Sequence, residues 1–392
     1  MFDFFKNLIH VLRRETTRIF KDPVTLFVSF VAPVFGIMML WWIFSAGVIR
    51  DLPIAVVNQD NTALSDKVTR MVDASPTVNI SATLSDMSAA QSLMRRGEIN
   101  AIILIPADFE KDLTQGNSPA LAVYINNLNV VAGGVLKSSI QKTLSSFSVG
   151  AKMQLQMKKG YTEQQALARV MPIRFDNHVL FNPYTNYSYF LTLGLIPLIV
   201  VVTCFLGTLY AFGSEIKEGT AKGLMDTAKG NIYVAITGKM LPHTFIYLLS
   251  MRLVSLVMIH KIGLPMHGNI WIILLSETAL IFAYQSLALV FIAITSNMRL
   301  SLSLGSAYTM MALTFSGLTF PSMAMPKIAA LLSYAFPFTF WLKIFMNETL
   351  RTIPNLSLIH SFLGLLTFII LAAFTFNKLK RVFTQEKFWG KL

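Results

Sequence analysis

The sequence predicts an α-helical polytopic membrane protein with six transmembrane helices and a mixed α/β extracytoplasmic domain inserted after the first of them. Three observations carry this expectation. Apolar residues make up 54% of the 392 positions and charged residues only 14%, against about a quarter charged in soluble domains. Long stretches without charge recur along the chain, as a bilayer core of about 30 Å requires of helices that cross it. Residues 50–186 differ in texture, with 13 basic and 11 acidic residues and only short apolar runs.

Residues 1–22 place Phe5, Leu8, Ile9, Leu12, Thr16 and Ile19 at helical spacing, with Lys6, Arg13, Arg14, Arg18 and Lys21 on much of the remaining surface. That pattern predicts a basic amphipathic helix lying in the membrane interface on the cytosolic side. Residues 23–49 form the first transmembrane helix. Its 26 uncharged positions from 24 to 49 exceed the core of a secretory signal, about 7–15 residues, so it reads as an uncleaved anchor.

Within 50–186, the runs IAVVN (54–58), AIILI (101–105) and LAVYI (121–125) read as buried strands. Helical patterns cover about 62–74, 85–97, 108–113, 135–160 and 162–171. Having crossed once, the chain places this domain outside. Residues 187–377 carry transmembrane helices 2–6, at about 187–212, 241–259, 270–295, 302–320 and 356–376. A Pro-punctuated apolar stretch at about 321–345 fits an outer re-entrant hairpin. The basic tail, 378–392, holds five basic residues against one acid. Six crossings leave both termini in the cytosol, in agreement with the positive-inside rule.

The formal net charge of +13 does not indicate nucleic acid. Ten of the 33 basic residues sit in the two short terminal segments, where the lipid bilayer is the expected partner. The single cysteine, Cys204, lies in an apolar run, which excludes an internal disulfide and cysteine metal sites. No His/Asp/Glu grouping has metal-ligand spacing, and no nucleophile–base signature stands out. TGKM (237–240) resembles the end of a phosphate loop, but Tyr233 stands where its first glycine is needed and Met240 where a Ser or Thr must hold magnesium. No catalytic residue or cofactor is therefore assigned to this chain.

Two features remain. Arg252 lies 13 residues before Pro265 and Glu277 lies 12 after it, so in an antiparallel hairpin they reach similar depth as an intramembrane polar pair. Each alone costs about 2.5–3.5 kcal/mol near the bilayer centre. The pair reads either as a structural staple or as a polar contact beside a substrate or proton path. The second feature is the polar elbow at 213–243, with seven charges and five glycines. Ser214 is the expected N-cap of a short helix at about 214–232 that opens with Glu215 and Glu218. Ile216, Leu224 and Met225 are expected to project into the cytosol as apolar docking residues.

In this order and spacing the motifs resemble the type-2 permease family, the membrane subunits of ATP-binding-cassette exporters of drugs, lipids and polysaccharides. The acidic stretch of the family's coupling helix is matched by Glu215 and Glu218-Gly219-Thr220, and its following G-K by Gly238-Lys239. The outer turn is matched by Gly263-Leu264-Pro265 with Gly268. The later signature is matched by Ser316-Gly317, Pro321, Met325-Pro326, Leu332-Ser333 and Pro337. Where the family often has Thr-Pro after the coupling helix, Thr227 is followed by Ala228.

The resemblance implies ATPase coupling through Glu215, Glu218, Gly219, Thr220, Leu224 and Met225, with ATP and magnesium on a separate ATPase subunit. It further implies a second permease, identical or closely related, a periplasmic adaptor as a further candidate partner, and a bacterial inner-membrane location. The expected function is export of a hydrophobic or amphiphilic small molecule. A proton-driven secondary transporter using Glu277, and a non-transporting anchor for the outer domain, are the alternatives.

Overall fold

The computed structural model describes residues 2–172, 180, 182, 186–351 and 355–390 of the protein. The chain divides into two compact units, Met1–Gly47 with Asn186–Leu392, and Val48–Thr185. Most of 173–185, the expected end of the inserted domain, and the last two residues of the basic tail lie outside the described residues.

The chain opens with α1 (Phe2–Lys21). A first apolar helix follows as α2 (Pro23–Leu26), a π-helical turn at Phe27–Val31, and α3 (Ala32–Ile43). Asp22 caps it by accepting from the Val24 N–H, and Pro23 opens it at a position where its missing N–H is no loss. It ends at Ile43, six residues before the expected boundary at 49.

The Val48–Thr185 unit is built on a four-stranded sheet of order β2-β1-β3-β4, with β1 (Leu52–Asn58), β2 (Val78–Leu84), β3 (Ala101–Ile105) and β4 (Ala122–Ile125). β1 pairs in parallel with both β2 and β3, while β4 runs antiparallel to β3. The parallel pairings require crossovers, supplied by α4 (Ala63–Asp73) and α5 (Met87–Arg95). α6 (Phe109–Thr114), the long α7 (Val130–Lys158) and α8 (Glu163–Val170) complete the unit.

Central β1 is buried on both sides. Ile54 and Val56 join a cluster with Val68, Val72, Leu136 and Ile140, while Ala55 and Val57 join Ala90, Ile99 and Ile102. This double burial explains why β1 and β3 read as continuous apolar runs. β2 was not expected from the sequence. It is an edge strand whose exposure alternates, so its signal is the period-two pattern Val78, Ile80, Ala82, Leu84 and not an apolar run.

The other unit continues with α9 (Tyr187–Lys217), α10 (Ala221–Thr227), α11 (Ile232–Leu256, prolonged by a π turn to Lys261), α12 (Ile270–Thr295) and α13 (Met298–Phe315). Then come α14 (Lys327–Ser333), α15 (Pro337–Met346), α16 (Ile359–Ala373) and α17 (Phe376–Thr384). Its core includes Cys204, Phe205, Tyr247, Tyr284 and Trp341, all fully buried.

Among the described residues, five helices are long and apolar enough to cross a membrane: Pro23–Ile43, Ser188–Lys217, Ile232–Lys261, Ile270–Thr295 and Ile359–Thr384. The bent pair Lys327–Ser333 and Pro337–Arg351, turning through 85°, makes six if it is one broken span. The stretch expected as the fifth span corresponds to α13. Its 18 residues reach about 27 Å at 1.5 Å per residue. Arg299 and the serines at 301, 303 and 306 leave it less apolar than the five.

Candidate functional site: a buried ion cluster beneath the polar elbow

Three elements meet at the elbow: α1, the C-terminal end of α9 and the first half of α11. On α1, Val11, Glu15 and Ile19 fall at successive i, i+4 positions and are all buried. Of the apolar positions read from the sequence, Ile19 belongs to this buried set, Leu8 and Leu12 are half-buried, and Phe5 and Ile9 are exposed. Val11, Glu15 and Ile19 mark the face that α1 packs against the protein, chiefly against α11. Gly238 on α11 makes the approach possible: a Cβ there would stand 2.7 Å from Val11 Cβ.

Charged side chains fill this junction. Lys239 Nζ donates to Glu15 Oε2 at 2.5 Å and to Glu215 Oε1 at 3.1 Å. Arg14 grips Glu215 with two bonds of 2.7 and 3.0 Å, the fork geometry in which guanidinium–carboxylate pairs are strongest. Arg18 reaches Glu215 at 3.1 Å and Glu218 at 2.7 Å, and donates to Ser214 and Thr220. The Thr220 hydroxyl donates to Glu215 at 2.5 Å, and His243 Nε2 lies 3.0 Å from Glu15 Oε1.

Three cations thus face three carboxylates, and Glu15, Glu215, Lys239 and His243 are almost wholly withdrawn from solvent. Burying ions is costly unless they are mutually paired and hydrogen-bonded. Burial by itself pushes the Glu15 pKa up. The charge of Lys239 and the contacts with Lys239 and His243 outweigh it and hold that carboxyl below its ordinary 4.5.

Several expectations for the elbow are corrected here. Ser214 is not an N-cap: α9 runs unbroken to Lys217, so Glu215 sits in its last turn and Glu218 is its C-cap. The apolar run of the second span continues through Phe212, and Ile216 prolongs its buried face. Gly219 turns the chain at φ +70°, a left-handed conformation that glycine adopts freely. The elbow helix is α10, seven residues long and shorter than the expected 214–232. Leu224, Met225 and Ile216 are buried and belong to the core shared with Phe383 of α17. Leu224 and Met225 point inward because a seven-residue helix must bury one side to persist.

The exposed side of α10 is polar, with Lys222, Gly223 and Asp226, followed by Lys229 and Gly230. Between this side and the start of α1 lies a groove of about 870 Å³, lined by Asp3, Lys6, His10, Asp226 and Lys229 among others.

Arg14, Glu15, Arg18, Lys239 and His243 escaped the sequence reading as site residues, although a signal existed. Glu15 is the one acid between Phe4 and Lys21, and Lys239 the one charge between Lys229 and Arg252. Lys239, an isolated charge within an apolar pattern, requires a partner, and Glu15 is a lone acid among Arg13, Arg14 and Arg18.

Away from the elbow, Arg252 and Glu277 form an ion pair between α11 and α12. Arg252 also donates to the Leu274 carbonyl at 2.8 Å and to Thr278 at 3.0 Å, while Ser255 donates to Glu277.

Fold and site together define a multi-span membrane protein whose polar elbow is locked to two neighbouring helices by buried ions. The family model for ABC-2 family transporter protein matches residues 23–376, and the chain belongs to that family. Permeases of this family work with an ATPase partner. One relative is a probable multidrug ABC transporter permease, YbhS, of Escherichia coli, 21% identical over 375 residues that cover 94% of this chain and 95% of the relative. The ABC transporter G family member 23 of Dictyostelium discoideum is 22% identical over 69% of this chain and 37% of its own length. The linearmycin resistance permease protein LnrN of Bacillus subtilis is 25% identical over 37% of each chain.

Proposed function

We propose that this chain is the permease of an exporter that moves a hydrophobic or amphiphilic small molecule out across the bacterial inner membrane. ATP is hydrolysed on a separate subunit that docks at the elbow. The observation that carries the reading is the ion cluster. A push on the exposed side of α10 reaches α9 through Gly219 and Thr220, and reaches α1 and α11 through Glu215, Arg14 and Lys239. Packed, hydrogen-bonded junctions transmit displacement instead of absorbing it.

The docking surface in this proposal is Lys222, Gly223, Asp226 and Lys229 with the groove against α1. It replaces Leu224 and Met225, whose burial withdraws them from a partner. Glu215 acts inside the permease, Glu218 and Thr220 at the rim through Arg18, and Gly219 as the turn. In the same proposal the Val48–Thr185 unit is extracytoplasmic, both termini are cytosolic and the permease works as a dimer. One bacterial relative is named a probable multidrug permease and another a linearmycin resistance permease, which supports an amphiphilic cargo.

The Arg252–Glu277 pair supports a staple between α11 and α12. Glu277 already has a cation and a hydroxyl on it, which weighs against its serving as the carrier of a proton-driven transporter. The test is efflux of a fluorescent amphiphilic dye from cells expressing the chain with its ATPase. Efflux that stops on ATP depletion and survives an uncoupler supports the proposal; the reverse pattern supports proton drive.

A further inference from the structure

We infer that the turn between α12 and α13, together with the start of α17, forms a binding site for the headgroup of an anionic phospholipid. A groove of about 760 Å³ opens there, lined by Thr295, Ser296, Arg299, Ser303 and Lys378, with apolar flanks that include Ile294 and Leu300. Among the described residues, neither Arg299 nor Lys378 has a carboxylate partner, and no acid lines the groove. Two exposed cations from different helices therefore converge on one cavity with no acid in its lining.

The apolar flanks distinguish a lipid from a free anion. Ile294 is 65% exposed, and Leu300 and Leu304, one turn apart on α13, are 49% and 47% exposed. Ile294 lies in the last turn of a helix long and apolar enough to span the bilayer, and Leu300 and Leu304 make an exposed apolar ridge along α13. A headgroup phosphate held by Arg299 and Lys378 leaves its acyl chains along that ridge. Basic pockets between helices at the membrane surface bind anionic headgroups through this combination. The site goes beyond the transport reading and stands without it, since it needs only the membrane placement of α12.

The experiment uses the full-length chain, delipidated in dodecyl maltoside and titrated with dioleoyl phosphatidylglycerol or dioleoyl phosphatidylcholine. Bound lipid is read by native mass spectrometry. Phosphatidylglycerol is retained over phosphatidylcholine. Arg299→Gln and Lys378→Gln each lower its retention about fivefold and together roughly thirtyfold. Lys327→Gln, an exposed cation on α14, leaves retention unchanged. Equal retention of the two lipids by the wild-type chain overturns the inference without reference to any variant. So does a double variant that binds as well as wild type, or complete displacement of phosphatidylglycerol by excess inorganic phosphate, which identifies a free-anion site.

Discussion

Lys239 Nζ and Glu215 Oε1 stand 3.1 Å apart, both side chains fully withdrawn from solvent, and join the first half of α11 to the last turn of α9. Lys239 also holds Glu15, so one ammonium ties three helices. Lys239→Met leaves two buried carboxylates without their shared cation. The expected loss is about 3–5 kcal/mol, the cost of breaking a buried pair from one side. Adding Glu15→Gln to that variant restores part of it. A double-mutant cycle on detergent-solubilised protein, followed by thermal unfolding, measures the coupling; strict additivity contradicts it.

Acid weakens the same junction. The folded-state pKa of Glu15 is depressed below 4.5, so its stabilisation is complete above that value and fades as pH falls through the folded value. The stability gap between wild type and Glu15→Gln is therefore constant near neutrality and shrinks below about pH 4.5. Unfolding midpoints of both proteins across that range check the sign. A gap that widens on acidification is the contrary result.

Two glycines of the elbow respond oppositely to alanine. Gly238→Ala drives a methyl into Val11 and costs about 1–3 kcal/mol, as overpacking does. A Cβ at Gly223 meets nothing within 4 Å, and Gly223 lies inside α10, so Gly223→Ala stabilises by roughly 0.5–1 kcal/mol. Unfolding midpoints of the two variants decide this, and equal shifts count against the packing account.

The Arg252–Glu277 staple makes its own prediction. Glu277→Gln or Arg252→Met alone is expected to lower folded yield, whereas the double variant recovers most of it, because no unpaired charge remains. Size-exclusion profiles of the three variants in detergent report it. A double variant as poor as the worse single one argues against pairing.

Long apolar runs revealed the membrane helices, and the depth argument from Pro265 brought Arg252 and Glu277 together because an antiparallel hairpin leaves little freedom of register. The elbow was legible only in part. Its polarity and glycines marked it as special, but the direction of Leu224 and Met225 depends on α17, some 150 residues away in the chain. The roles of Glu15 and Lys239 likewise depend on a contact between distant helices that local pattern does not encode. β2 was missed for a different reason: a half-buried edge strand alternates, and a search for apolar runs passes over it.

The exposed side of α10 is where the account is most directly at risk. Tagged chain is purified gently from its native host, and the proteins that accompany it are identified by mass spectrometry. The wild-type chain is expected to bring an ATPase subunit with it. The charge reversal Lys222→Glu with Asp226→Lys, which changes exposed side chains and leaves the ion cluster intact, is expected to lose it. An ATPase recovered equally by both proteins, or by neither under conditions that preserve a known exporter complex, contradicts docking at the elbow.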